Sequence, residues 1–142
     1  MLVALLPNQV SEYWPLFKGH IEDSMPPTGD WIPYDMNLVL FHLIAGDANL
    51  WILKDKEHNV DGLVITTIYN DISGVRTLML NNIVVVNKKA KVNWQIEFDT
   101  LKKYAYSKGC TKIGSFIMNQ KLLDILKEYD VETRFTFAHI NI

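Results

Sequence analysis

One cysteine, Cys110, stands among 142 residues, so no intramolecular disulfide can staple the fold. A reducing, intracellular setting is the simpler expectation. Neither sign of charge is in excess: 14 Lys and Arg stand against 16 Asp and Glu, for a net charge of −2. That balance leaves no basic footprint for following a phosphodiester backbone, and no nucleic-acid partner is expected. Long apolar runs are missing too. The longest, Leu38 to Ala45, is interrupted by His42 and falls far short of a membrane span. The opening MLVALLPNQV carries no positive charge before its apolar stretch and is cut off at Pro7, the pattern of a short strand and not of a signal peptide. The four histidines, His20, His42, His58 and His139, show no i, i+4 pair or other ligand spacing, so no metal site is expected.

What the chain does have is an ordinary globular balance, 49% hydrophobic and 21% charged. Residues 1–142 read as one domain, able to bury roughly two thirds of the surface exposed in the unfolded chain. Leu2 to Leu6 has strand length, and Pro7-Asn8 offers a turn and an N-cap. Val10, Trp14, Phe17 and Ile21 recur at intervals of three and four, a helical stripe reaching about Ser24 that Pro15 is expected to kink or divide. Met25-Pro26-Pro27-Thr28-Gly29-Asp30 is the densest loop signal and the best candidate for a mobile segment. Asp35 can cap a second helix that runs through Ala45 and stops at Gly46.

From Asn49 the period changes. Leu50–Leu53, Val60–Tyr69 and Val75–Val86 are rich in β-branched and aromatic residues, and the turn-like KDKEHN and NDISG separate them, which predicts three antiparallel strands. Between Ala90 and Lys108 a helix is expected, with Trp94, Phe98, Leu101 and Ala105 on one face, Glu97, Lys102 and Lys103 pointing elsewhere, and Gly109 as the stop. Lys112–Met118 reads as a strand, Gln120–Tyr129 as a short helix and Thr133–Ile140 as a closing strand. The packed helix before Lys112–Met118 implies a right-handed crossover and a parallel pair. The fold class is therefore α/β (α+β): a mixed central sheet, an antiparallel meander followed by β-α-β-α-β, and helices on both faces.

Individual residues offer little chemistry by themselves. His42, on an apolar helix, suits a hydrogen-bonded core or edge position, and His58 belongs to an exposed turn. Cys110 has no adjacent histidine or electropositive pocket to lower its pKa, so it reads as a structural cysteine. Trp14, Trp51 and Trp94 fall on expected core faces. Trp31 follows the Pro-Pro-Thr-Gly-Asp loop, where it can anchor a partner or staple the loop to the domain.

This order of elements resembles the GNAT (Gcn5-related N-acetyltransferase) fold over nearly the whole chain. The words Leu50-Trp51-Ile52-Leu53, Val60-Asp61-Gly62-Leu63-Val64 and Trp94 to Cys110 are similar to small GNAT-like proteins of bacteriophages, some of which resemble internal virion proteins of short-tailed phages. The resemblance implies that the third meander strand parts from its parallel neighbour and leaves a slot for acetyl-CoA. Strand residues Ile83, Val84, Val85 and Val86 would then lie along the cofactor. The pyrophosphate would sit on the loop Val86-Asn87-Lys88-Lys89-Ala90-Lys91-Val92. Family members have a glycine-rich turn there whose N–H groups hold the anion; this loop has no glycine and offers Lys88 and Lys89 as point charges, or simply as a solvated surface.

The family also places an Asn before the next helix, a Tyr near the acetyl sulfur as general acid, and Gly-Phe at the helix end. Asn119 matches the first. Leu126 stands at the tyrosine position and Asp130-Val131 at Gly-Phe, which leaves Tyr129, three residues later, either as a substitute acid or simply as an amphipathic residue at a helix end. Asn81 and Asn82 occupy the place of the acidic base, and an amide has no useful basicity. With phosphate loop, acid and base all altered, the leading expectation is a GNAT-like protein of phage type whose acetyl-CoA site is degenerate. It would be a non-catalytic structural or interaction component, virion-associated or in the host cytoplasm, with a protein partner or self-assembly and no cofactor. The alternative is a divergent acyl-CoA-dependent N-acetyltransferase with acetyl-CoA as cofactor. A third reading is an adaptor that binds a host protein through Met25–Tyr34.

Overall fold

The apolar runs that follow Ala48 pair into the centre of a sheet, and the amphipathic stripes on either side of them supply its two coats. A computed structural model describes residues 1–25, 33–138 and 140. In chain order the elements are β1 (Leu2–Ala4), α1 (Pro7–Asp23), α2 (Met36–Ala45), β2 (Ala48–Lys54), β3 (Val60–Asn70), β4 (Arg76–Val85), α3 (Trp94–Ser107), β5 (Lys112–Ser115) and α4 (Gln120–Lys127). The five strands lie in the order β1-β2-β3-β4-β5. All neighbours are antiparallel except β4 and β5, which run parallel across the α3 crossover.

Local chemistry sets the two hairpins. In the turn after β2, the Asp55 carboxylate accepts from Glu57 N at 2.8 Å and Asn59 N at 2.9 Å. After β3, Asp71 does the same for Ser73 N at 2.7 Å and Val75 N at 3.1 Å, while Gly74 takes the left-handed conformation at φ 84°. These side chains act as substitute backbone acceptors that close the turn. The donors hold both carboxyls below their ordinary pKa, the side-chain bonds from Asn59 and Ser73 being the largest cause in each.

Alternation along the strands then sorts the core into two layers. Leu50 and Ile52 of β2, with Leu63 and Ile65 of β3, meet Val10, Trp14, Phe17 and Ile21 of α1 and Leu43 of α2. On the opposite face Trp51, Leu53, Val64, Leu78 and Leu80 meet Leu101 and Ala105 of α3. Trp51 is fixed by its Nε1 donating to the buried Thr66 hydroxyl at 2.9 Å. The mixed sheet, meander, parallel crossover and two-sided helical cover all agree with the reading of the sequence. So does α2, where Asp35 accepts from Asn37 N and Leu38 N and Gly46 is left-handed at φ 85°.

Several elements differ from expectation. Pro15 does not divide α1, because it sits on the exposed side, where the carbonyl it leaves unpaired can face water. The N-cap is Leu6, not Asn8, with Pro7 in the first turn and the Gln9 side chain accepting from Leu6 N at 2.9 Å. Glu97 is buried at 6% exposure instead of pointing outward, with one carboxylate oxygen 3.3 Å from the Met1 ammonium. The strand expected over 112–118 stops at Ser115, and the helix expected over 120–129 stops at Lys127.

The expected strand Thr133–Ile140 does not form among the described residues. Locally, Glu132 accepts from both Arg134 N and Arg134 Nε at 2.8 Å, a bonding pattern that competes with a ladder. Phe137 instead meets Phe116 edge to face, with ring centroids 5.2 Å apart. The loop signal at Pro26–Asp30, together with Trp31 and His139, lies outside the described residues.

Candidate functional site

The site begins with a mismatch of register. Ile65 of β3 pairs with Asn82 and Thr66 with Leu80, so Asn81 is the extra residue of a β-bulge on β4. A bulge bends its strand and increases the local twist. On its other side β4 pairs with β5 only from Thr77↔Lys112 to Leu80↔Ser115. The last tie is the Ser115 hydroxyl, which donates to the Leu80 carbonyl at 2.8 Å. Past that point the two strands part, and residues 81–85 run with no ladder partner on the β5 side.

The parting opens a cleft of about 770 Å³. Met79, Leu80 and Ile83 of β4 form one wall, and Ile113 to Met118 the other. Phe98 and Lys102 of α3 lie across one side, Leu123, Leu126 and Tyr129 across the next, and residues 131–133 and 135–137 complete the lining. Gly114 keeps the base of the cleft narrow, since an added Cβ would meet Met79 Sδ at 3.1 Å. The charged side chains in this lining are Lys102, 3.5 Å from Asp99, and Glu132, whose carboxyl is held low by the bond from Arg134.

The structure brings only part of the expected site together. Tyr129 lines the cleft, with its ring 5.9 Å from that of Phe98 and its N–H on the Leu126 carbonyl at 2.9 Å. It sits in the turn after α4, and Leu126 lines the same cleft. Asp130, at the position where the family has glycine, adopts the left-handed conformation glycine favours, at φ 56°. Ile83 faces the cleft. Val84 and Val86 pack into the α1/α2 layer on the other side of the sheet, and Val85 is exposed.

Lys88 and Lys89 are exposed and are not part of the cleft wall. Their turn is bonded inward. Asn87 donates to the Asp61 carboxylate at 2.8 Å and accepts from Lys89 N at 3.1 Å, while Ala90 N donates to the Asn87 carbonyl at 3.0 Å. Two N–H groups that would face an anion in a glycine-rich turn are therefore already used, and α3 does not begin until Trp94. Asn119 caps α4, accepting from Lys121 N at 2.9 Å and Leu122 N at 3.4 Å.

The amides at the base position are occupied as well. Asn81 donates to the Thr67 hydroxyl at 2.8 Å. Asn82 is buried and donates to Ser24 Oγ at 2.8 Å and to the Ile21 carbonyl at 3.3 Å, tying β4 to the end of α1, while its own Oδ1 has no hydrogen-bond partner. His42 is an edge residue 3.1 Å from Asp47, and Cys110 is buried. Among the described residues no three His, Cys, Asp or Glu side chains converge as metal ligands, and no helix is long and apolar enough to cross a membrane. Reading the sequence missed Ser115, Gly114, Phe116 and Lys102. Only Gly114 carried a signal, since glycine inside a strand marks a close approach.

The site fits acetyl-CoA, the cofactor that the resemblance implies, only in part. The unpaired edge of β4 and the apolar cleft suit an amide-bearing arm that ends in an acyl thioester. The turn at 87–90 suits a pyrophosphate poorly, because Asn87 has taken two of its donors, the N–H groups of Lys89 and Ala90.

No protein-family model matches the chain, and no curated protein matches it in sequence. Solved structures do match in shape. The ribosomal-protein-alanine N-acetyltransferase of Brucella melitensis biovar Abortus 2308 superposes with a TM-score of 0.70 at 15% identity, over 100% of this chain and 99% of that one. A predicted acetyltransferase from Clostridium acetobutylicum, solved with acetyl-CoA, gives a TM-score of 0.70 at 13% identity, over 99% and 95%. AAC(6')-Iy, solved with a bisubstrate analogue, gives 0.70 at 14% identity, over 100% and 98%. At these identities the likeness is one of fold: the chain has a GNAT-like fold.

Proposed function

We propose that the protein is an N-acyltransferase that draws its acyl group from a CoA-type thioester. The observation that carries this reading is the fork at the Asn81 bulge, which opens into a cleft containing Tyr129. The matched acetyltransferases, one solved with acetyl-CoA and one with a CoA-containing bisubstrate analogue, support it.

A thioester supplies an activated carbonyl: an amine nitrogen bonds to the acyl carbon, and the carbon–sulfur bond breaks with its electron pair on sulfur. The edge of β4 from Asn81 to Val85 offers strand-type donors and acceptors to hold the arm. Tyr129 is the group in the cleft that can pass its phenolic proton to the departing sulfur and regain one from the amine side through water. Asn81 and Asn82 contribute no base, so the amine must enter neutral or lose its proton to solvent. Lys102 is the cation placed to attract an anionic part of the ligand at the α3 side.

The test is calorimetric titration with acetyl-CoA, followed by a thiol-release assay over a panel of amines. Micromolar binding with amine-dependent release of CoA is the expected result. No heat at millimolar acetyl-CoA and no release with any amine would overturn the reading.

The second reading is the non-catalytic one, a structural or interaction component of a phage particle. It is favoured by the inward-bonded turn at Asn87 and by the uncharged stripe Leu38, Phe41 and Ile44, which α2 leaves exposed and which suits a second copy of this chain. It predicts a dimer in sedimentation that Phe41→Glu converts to monomer, together with silence in the calorimeter.

A further inference from the structure

We propose that the cleft is built for a medium- or long-chain fatty acyl group and not for acetyl alone. This rests on the acyltransferase reading and names its substrate class. Binding energy at this site has few sources. A ligand held mainly through its pyrophosphate needs free backbone donors, and the N–H groups of Lys89 and Ala90 are spent on Asn87. Lys88 and Lys89 stand outside the cleft, where exposed point charges are screened and add little. With those two donors spent, more of the affinity has to come from the arm and from what lies beyond the thioester.

The cleft offers that. Its volume of about 770 Å³ lies toward the upper end of the usual small-molecule range of roughly 300–1,000 Å³. The two carbons of an acetyl group would use a small fraction of it. The lining includes Met79, Phe98, Phe116, Met118 and Phe135. Phe116 is 44% exposed, Met118 73% and Phe135 82%, so large apolar side chains stand in water around an open cleft. An alkyl chain lying among them removes apolar surface on both partners. Methionine and phenylalanine suit this task, since flexible thioethers and flat rings adapt to a chain with no fixed shape. The charged side chains of the lining are Lys102 and Glu132 and its other polar ones Ser115, Tyr129, Thr133 and Thr136, so most of it carries no polar group that an alkyl chain would have to desolvate.

The experiment is calorimetric titration of the full chain with acetyl-, octanoyl- and dodecanoyl-CoA below their micelle concentrations, with free dodecanoate as a further arm. Each buried methylene strengthens binding by up to about fourfold. Octanoyl-CoA is therefore expected to bind at least ~10-fold tighter than acetyl-CoA, with dodecanoate far weaker than dodecanoyl-CoA. Met118→Asp, at an exposed position where the fold tolerates charge, should reduce the octanoyl-to-acetyl affinity ratio at least ~5-fold, with an unchanged melting temperature as the folding control. Acetyl-CoA binding with no gain from longer chains overturns this inference and leaves the acyltransferase reading standing. No binding by any thioester removes both. Dodecanoate binding as tightly as dodecanoyl-CoA also overturns it, because the cleft would then be a fatty-acid site unconnected with transfer.

Discussion

Substituting Gly62 with alanine tests the geometry that holds the cleft's β4 wall. Gly62 lies on β3 opposite Val85, and a Cβ there would stand 2.6 Å from the Val84 carbonyl oxygen, where ordinary contact begins near 3.4 Å. The obstacle is backbone, so no rotamer change relieves it, and β4 must move outward by several tenths of an ångström. Overpacking of this kind costs about 1–3 kcal/mol. Against it stands about 0.5–1 kcal/mol, the usual gain on replacing a strand glycine by alanine. The net expectation is a loss of about 1–2 kcal/mol, or a melting temperature lower by roughly 3–8 °C for a chain of this size.

Gly19 supplies the control. It lies inside α1 with nothing within 4 Å of the added carbon, so Gly19→Ala should gain about 1 kcal/mol of helix propensity and melt roughly 3 °C higher. Differential scanning calorimetry on the pair reads two opposite signs from the same chemical change. Because Ile83, two residues from Val85 on the same strand, lines the cleft, Gly62→Ala should also weaken thioester binding, whereas Gly19→Ala should not. A Gly62→Ala variant as stable as the parent, with unaltered ligand affinity, would refute the account of β4 given above.

Other expectations follow from the same geometry. Tyr129→Phe removes the proton donor but keeps the ring beside Phe98; amine-dependent CoA release should fall by ~10²-fold or more while calorimetric affinity stays within about threefold. Lys88→Ala/Lys89→Ala should change acetyl-CoA affinity by less than about fivefold, because both side chains stand outside the cleft; loss of binding would show that the turn reaches the phosphates after all. Asp71 has a folded-state pKa below its ordinary 3.8, so its contribution is complete above that value and is lost as pH falls through the folded value. Asp71→Ala should therefore be less stable than the parent at pH ~7, and the gap between their melting temperatures should narrow as pH falls below 3.8. A gap of constant size across that range would show that the carboxylate's charge contributes nothing.

Much of this protein could be read from short stretches of chain. The turns rest on Asp55 and Asp71 bonding to N–H groups two to four residues ahead, and α2 is bracketed by Asp35 and Gly46. The stripe Val10, Trp14, Phe17, Ile21 defines its own buried side, and alternation in β2 assigns Leu50 and Ile52 to one layer and Trp51 and Leu53 to the other. All of these depend on interactions within a few residues, or on a period, and both are written in the sequence.

The site is different, because its parts come from distant places. Which residue bulges depends on how β3 and β4 register against each other, and only that register places the fork at Asn81. The 87–90 turn is anchored to the sheet because Asn87 meets Asp61, 26 residues away, a pairing no local pattern announces. Glu97 carries a charge and so read as a surface residue, until the packing of α3 against the sheet set it beside the first residue of β1's approach. The segment 133–140 alternates like a strand, yet a strand needs a partner edge, and among the described residues the ladder beside β5 ends at Ser115. Periodicity therefore determined the elements and their faces. Strand register, crossover and long-range hydrogen bonds, which exist only once the chain is folded, decided where the cleft opens and which side chains line it.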